Sequence, residues 1–298
     1  MRICNFGSLN IDRVFRVEHI ARPGETLPAA SLATFAGGKG ANQSVALAHA
    51  GVAGVAGVAV HHAGCLGADG RWLLEKLAAA GVDVGHVRID DDAPTGQAII
   101  QVDDAGENAI ILLAGANHRV TGEQIERTLG AFEVGDWLLL QNEINDVAAV
   151  IQAGRAQRLR VALNPAPFTD AVRNYPLDGI DLLIVNETEA AGLAGMQSVA
   201  GVLDALAHRA PRADIVLTRG AAGVAYRGRS GATLELPAAD RGPVVDTTAA
   251  GDTFVGYYLA HVAGGASIEA ALARAVQAAA VCVTRPGAMD AIPRADEV

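Results

Sequence analysis

Residues 161–189 read VALNPAPFTDAVRNYPLDGIDLLIVNETE. Two short apolar runs, Val161–Leu163 and Leu182–Val185, end on polar clusters: Asn164-Pro165-Ala166-Pro167 after the first, Asn186-Glu187-Thr188-Glu189 after the second. Apolar runs this short and without alternation read as strands buried on both faces, as in a parallel sheet covered by helices. The same unit recurs at Trp137–Leu140, followed by Asn142 and Glu143, and at Ile215–Leu217, followed by Thr218-Arg219-Gly220. From Thr121 onward strands alternate with helical segments, so the expected fold class is α/β with a mostly parallel sheet flanked by helices. In such sheets the residues just past the strands' carboxyl ends build the ligand site.

Composition agrees with that architecture. A chain of 298 residues, 51% of them hydrophobic, suffices for one large domain with a small appendage. Aromatic residues make up only 4%, so packing rests on Ala, Val, Leu and Ile and on close backbone approach through the 34 glycines. The net charge of −10, with no basic run, speaks against sequence-independent nucleic-acid binding. Cys4, Cys65 and Cys282 match no zinc spacing and read as buried thiols, while His61-His62 has no carboxylate or Cys at ligand spacing. No apolar stretch reaches the length of a membrane span, and a soluble, cytoplasmic protein is expected.

The N-terminal half reads differently. A short strand at Ile3–Gly7 leads into Asn10–Val17, whose period-2 alternation predicts a strand with a polar face carrying Asn10 and Asp12. Gln97–Val102 and Ile110–Leu113, joined by an acidic turn over 103–108, extend that separate small sheet, expected over about 11–17 and 97–113. Val84–Arg88 is a further short strand, Trp72–Ala80 a helix closed by Gly81, and the repeat GVAGVAGVAV at 51–60 a turn followed by a buried strand. Gly37-Gly38-Lys39-Gly40 opens a helix ending at Gly51; it lacks the spacing of a nucleotide P-loop. Lys39 and Asn42 there offer donors suited to a polyhydroxy ligand.

Near the C-terminus, VDTTAAGDTF at 245–254 sets Ala249-Ala250-Gly251 before Asp252 and a helical run. Small residues leave the first-turn amides uncovered, which makes an anion site at a helix N-terminus; a simple cap by Asp252 explains the same residues equally well. Asn186 and Glu189, three apart, fit either a capping box or a hydrated divalent cation, and the residues alone favour the cap. Thr218–Val224 is a Gly-rich hairpin that an anion site elsewhere would turn into a nucleotide wall. Ala266–Thr284 is a long Ala-rich helix, and Arg285–Ala288 a loop expected beside 245–254.

GSLNID at 7–12, GGKGANQ at 37–43, LNPAP at 163–167, NETEA at 186–190, VDTTAAGDTF at 245–254 and VTRPGA at 283–288 together resemble the ribokinase and PfkB sugar kinase family. The resemblance implies a Rossmann-like domain with a β lid that closes over the sugar and pairs with a second copy to make a homodimer. It implies Asp252 as general base and Ala249, Ala250 and Gly251 as the anion hole. Asn10, Asp12, Gly38, Lys39, Asn42 and Glu143 would hold the sugar. ATP would lie along Asn186, Thr218, Gly220 and Gly223, with Glu189 near the waters of Mg2+. A monovalent cation, K+, would sit among Asp246, Thr248, Cys282, Arg285 and Gly287, mostly on carbonyls. The chain departs from the family at Val276, where relatives carry a polar residue near adenine, and at Ala291, where they carry a further serine ligand; Asp290 is the neighbouring candidate to replace it. The implied activity is ATP-dependent phosphorylation of D-ribose at its 5-hydroxyl, with another small sugar or nucleoside, or a non-catalytic sugar-binding regulator, as rivals.

Overall fold

Apolar strands without alternation form the middle of the central sheet of the protein, seen here in a computed structural model that describes residues 1–51, 58–196 and 201–298. In chain order the first half comprises β1 (Arg2–Phe6), β2 (Asn10–Arg16), β3 (Ser31–Gly37), α1 (Lys39–His49), β4 (Ala59–Gly67), α2 (Arg71–Ala79), β5 (Asp83–Asp90), β6 (Gly96–Val102) and β7 (Asn108–Leu113). The second comprises α3 (Gly122–Leu129), β8 (Trp137–Leu140), α4 (Val147–Ala156), β9 (Arg160–Leu163), β10 (Leu182–Asn186), α5 (Glu187–Ala194), α6 (Val202–Arg209), β11 (Asp214–Thr218), β12 (Val224–Arg227), β13 (Thr233–Leu236), α7 (Ala250–Ala263) and α8 (Ile268–Cys282).

The main sheet has nine strands in the order β13-β12-β11-β10-β9-β8-β1-β4-β5. All neighbours from β11 to β5 are parallel, and β12 and β13 add an antiparallel edge. From β1 the chain first moves outward through β4 and β5, then returns to β8 on the other side and continues to β11. The crevice beyond β1 and β8 is thus a topological switch point, where open α/β sheets bind ligands. Adjacent strand residues fall to opposite faces: Leu139 packs with Val45, Leu73, Phe254 and Leu272 of α1, α2, α7 and α8, and Leu138 with Ile125, Ile151, Leu193 and Leu206 of α3 to α6.

The second sheet has four strands, β3-β2-β6-β7. It includes β3, which the sequence reading left out: SLATFAG has neither strict alternation nor a long apolar run, and its first two residues are exposed. Register pairs Asp12 with Ala98 and Ala98 with Leu112, so these side chains share one face with Asn10, Ile100 and Ile110. β5 is longer than Val84–Arg88 and belongs to the main sheet, parallel to β4. Of the 51–60 repeat, residues 52–57 lie outside the described residues, and the strand that follows runs from Ala59 to Gly67.

Candidate active site

Between the switch point and the small sheet lies a cavity of about 450 Å³, a volume typical of small-molecule sites. Two elements start at its wall. α1 begins at Lys39 after Gly38, whose φ of 93° suits only glycine. Gly40 packs α1 against the turn after β1 so closely that an added Cβ would lie 2.3 Å from the Ser8 nitrogen. α7 begins at Ala250 after Ala249, a non-glycine residue held at φ 61°. A left-handed alanine costs about 1–2 kcal/mol, and backbone strain of this kind concentrates at functional sites.

The first turn of α7 leaves the Gly251 and Asp252 amides without an i−4 carbonyl inside the helix. A Cβ on Gly251 would meet nothing within 4 Å, so this glycine keeps open space in front of those donors. Ala249, Gly251 and Asp252 line the cavity. Asp252 is buried, its Oδ2 accepting from Asn42 Nδ2 at 3.0 Å and its Oδ1 from Gln43 Nε2 at 2.9 Å. A cap would instead aim the carboxylate at its own helix's amides, and Asp252 makes no such bond.

Asn10, Asp12, Gly38, Lys39, Asn42 and Glu143 all line the same cavity. The polar face of β2 is therefore turned inward rather than to bulk water, and Asn10 is fixed by Asn117 Nδ2, which donates to its Oδ1 at 2.7 Å. Glu143 is oriented by Ser8 Oγ and the Lys39 amide, at 2.5 and 2.9 Å from its Oε2. Burial, then the charges of Glu143 and Asp252, push the Asp12 carboxyl up to about 7. Burial likewise raises Glu143. The Asp252 carboxylate in turn raises the Lys39 ammonium, outweighing the opposing effect of burial, so Lys39 stays charged. One cation thus stands among several carboxylates with acceptors and donors pointing inward, a surface matched to vicinal hydroxyls.

At the other end of the cavity Asn186 and Glu189 form a complete capping box on α5: Glu189 N donates to Asn186 Oδ1 at 2.8 Å and Asn186 N to Glu189 Oε2 at 3.0 Å. Both residues also line the cavity, so the cap leaves them available to a ligand. Thr218 pairs with Asn186 across β10 and β11 but, with Gly220 and Gly223, lies outside the cavity lining, farther along the same sheet edge. Gly223 has a packing reason of its own, since a Cβ there would lie 2.1 Å from the Leu236 carbonyl.

Asp246 draws the two C-terminal loops together. Its Oδ1 accepts from Thr248 N and Oγ1 at 2.9 and 2.7 Å, and its Oδ2 from Gly287 N at 3.0 Å. Burial opposes its ionisation, but these bonds hold the carboxyl below its ordinary range. Cys282 Sγ lies 3.7 Å from the Thr248 carbonyl, while the Arg285 guanidinium turns to Glu297 at 2.6 Å. Asp290 pairs with Lys76 at 3.0 Å, so its carboxylate is engaged away from this cluster, and Ala291 beside it is fully buried.

The residues that sequence reasoning did not single out for the site are the apolar small-sheet positions Ala98, Ile100, Ile110 and Leu112, with Thr247 and Ala288. Only strand register could have found the first four, because nothing in a lone apolar residue tells which face it occupies.

The pfkB family carbohydrate kinase model matches residues 1–295. The ribokinase of Haemophilus influenzae is 34% identical over 98% of this chain and 95% of its own length. Among solved structures, the ribokinase of Cryptococcus neoformans var. grubii in complex with ADP has a TM-score of 0.85 at 34% identity, covering 99% of this chain and 98% of its own. The Arabidopsis thaliana ribokinase complexed with ribose and ATP has a TM-score of 0.84 at 28% identity, covering 99% and 96%. With a family match over nearly every residue and a switch-point cavity of matching chemistry, this chain belongs to the pfkB family of carbohydrate kinases.

Proposed function

We propose that the chain transfers the γ-phosphoryl group of ATP to the 5-hydroxyl of D-ribose. The observation that carries this reading is the placement of the Asp252 carboxylate at the open N-terminus of α7, in one cavity with Asn10, Asp12, Lys39, Asn42 and Glu143. Asp12 and Glu143 accept from sugar hydroxyls, while Lys39 and Asn42 donate to them. Asp252 takes the hydroxyl proton as the sugar oxygen attacks the γ-phosphorus; the new P–O bond forms while the bond to ADP breaks. The Gly251 and Asp252 amides, aligned with the α7 dipole, face the charge on the transferred group, while the Ala250 amide is engaged with the Thr247 carbonyl at 3.3 Å.

ATP extends from the cavity along Asn186, Thr218 and Gly220. Among the described residues no three His, Cys, Asp or Glu side chains form a metal cage. A magnesium ion would therefore be held mainly by the nucleotide's phosphates and by waters oriented by Glu189, in keeping with its reluctance to shed water. The Asp246 carboxylate and nearby loop carbonyls suit a monovalent cation, which would steady the loop before α7. With Ala291 apolar and Asp290 paired to Lys76, that donor set is one side chain short. The outer face of the small sheet, with Leu32, Ile99, Ile111 and Leu113 at 52, 36, 61 and 48% exposure, supports a lid-to-lid homodimer.

A panel of pentoses, hexoses and nucleosides with coupled ADP detection, run with and without K+, tests the substrate. Highest kcat/KM with ribose is expected; clear turnover elsewhere but none with ribose would overturn it. Asp252→Asn should lower kcat by about two to four orders of magnitude while leaving ribose and ATP affinity within about threefold. Near-normal turnover would remove Asp252 from the chemistry.

A further inference from the structure

Behind Asp252, outside the cavity, runs a chain of buried side-chain amides. Gln43 is fully buried and does not line the cavity, so it has no access to a ligand. Its Nε2 donates both to Asp252 Oδ1 at 2.9 Å and to Asn164 Oδ1 at 3.0 Å, and its Oε1 accepts from Gln141 Nε2 at 2.6 Å. Gln141 Nε2 uses its second hydrogen on Asn5 Oδ1 at 2.9 Å. Asn5 Nδ2 donates to the Gly40 carbonyl at 2.7 Å and to Ser44 Oγ at 2.9 Å, and Ser44 meets His62 Nδ1 at 2.8 Å. Every donor in the chain from Asn5 to Gln43 is used. Turning the Gln43 amide over would set its oxygen against the Asp252 carboxylate and Asn164 Oδ1, and its NH2 against that of Gln141. The network therefore admits one orientation, with donors facing the acid.

We propose that Gln43, held by Gln141 and Asn5, is a positioning residue for the reaction: it pins Asp252 Oδ1 so that Oδ2, on the cavity side with Asn42, is presented to the sugar hydroxyl. The inference rests on Asp252 being the base. A base misplaced by a fraction of an ångström loses rate while the sugar's own contacts stay intact, so the signature is in kcat and not in KM.

Gln43→Met keeps the volume and deletes the donor. Its kcat should fall about tenfold or more with KM for ribose and ATP within about twofold, and in an Asp252→Asn background the same change should alter kcat by less than about twofold. Wild-type kcat in folded Gln43→Met, a raised KM at unchanged kcat, or full additivity with Asp252→Asn would overturn the proposal. If Asp252→Asn alone is fully active, it is the assignment of the base that fails instead. Should Gln43→Met not fold, Gln141→Met, which frees the Gln43 amide without touching Asp252, is read the same way, with an expected kcat loss of about threefold or more.

Discussion

Asp12 holds a proton up to about pH 7, because burial and the charges of Glu143 and Asp252 penalise its ionised form. The unfolded chain releases that proton near the ordinary value of 3.8, so the folded state binds the extra proton between 3.8 and about 7. Asp12 accordingly favours folding at low pH, and this contribution is lost as pH rises through that window. Sugar binding reverses the preference, since hydroxyl donors need a carboxylate that accepts. Ribose affinity, measured calorimetrically without nucleotide, should weaken as pH falls below about 7, approaching tenfold per unit. A flat profile would show that Asp12 does not meet the sugar as an anion. The open turn at Gly251 makes a different residue-level prediction: Gly251→Val puts a branched side chain over the first-turn amides of α7 and should lower kcat by about 100-fold, the scale of losing one donor to a developing charge.

At the level of elements, the capping box of α5 joins folding to ligand binding. Asn186→Ala removes the side-chain half of the box, the bonds from Glu189 N to Asn186 Oδ1 and from Asn186 Nδ2 to Glu189 Oε1, and should lower stability by about 1 kcal/mol, visible as a lower melting temperature, with KM for ATP raised in the same variant. An unchanged melting temperature would show that the box adds nothing to the fold. The parallel strands from β8 to β11 were legible because they are buried on both faces: Trp137–Leu140 is read to the residue, β9 and β10 differ by one residue at one end, and β11 by one at each end. β3 and β13 were not, since half-exposed edge strands such as SLATFAG and TLEL carry little apolar signal. For the site, strand ends pointed to Glu143, Asn164 and Asn186 from the residues alone. That Asp252 does not cap its own helix could be seen only from its bonds to Asn42 and Gln43, more than 200 positions away in sequence.

For the molecule as a whole, the small sheet has one face over the cavity, and the other carries the exposed Leu32, Ile99, Ile111 and Leu113, so the proposed homodimer would use the same four strands that border the site. Ile111→Lys on that exposed face should give a species of half the mass in sedimentation equilibrium at micromolar protein; an unchanged mass would place the interface elsewhere. The carboxylates gathered around Lys39 bear on what happens after transfer. Ribose enters uncharged and meets no repulsion from Asp12, Glu143, Glu189 or Asp252, all lining one cavity with a single ammonium. The ester that forms there carries about −1.5 to −2 charge at neutral pH. The same acids that welcome the alcohol should thus weaken the hold on its phosphate, opposing the α7 amides, so that the product leaves more readily than it would from a neutral cavity.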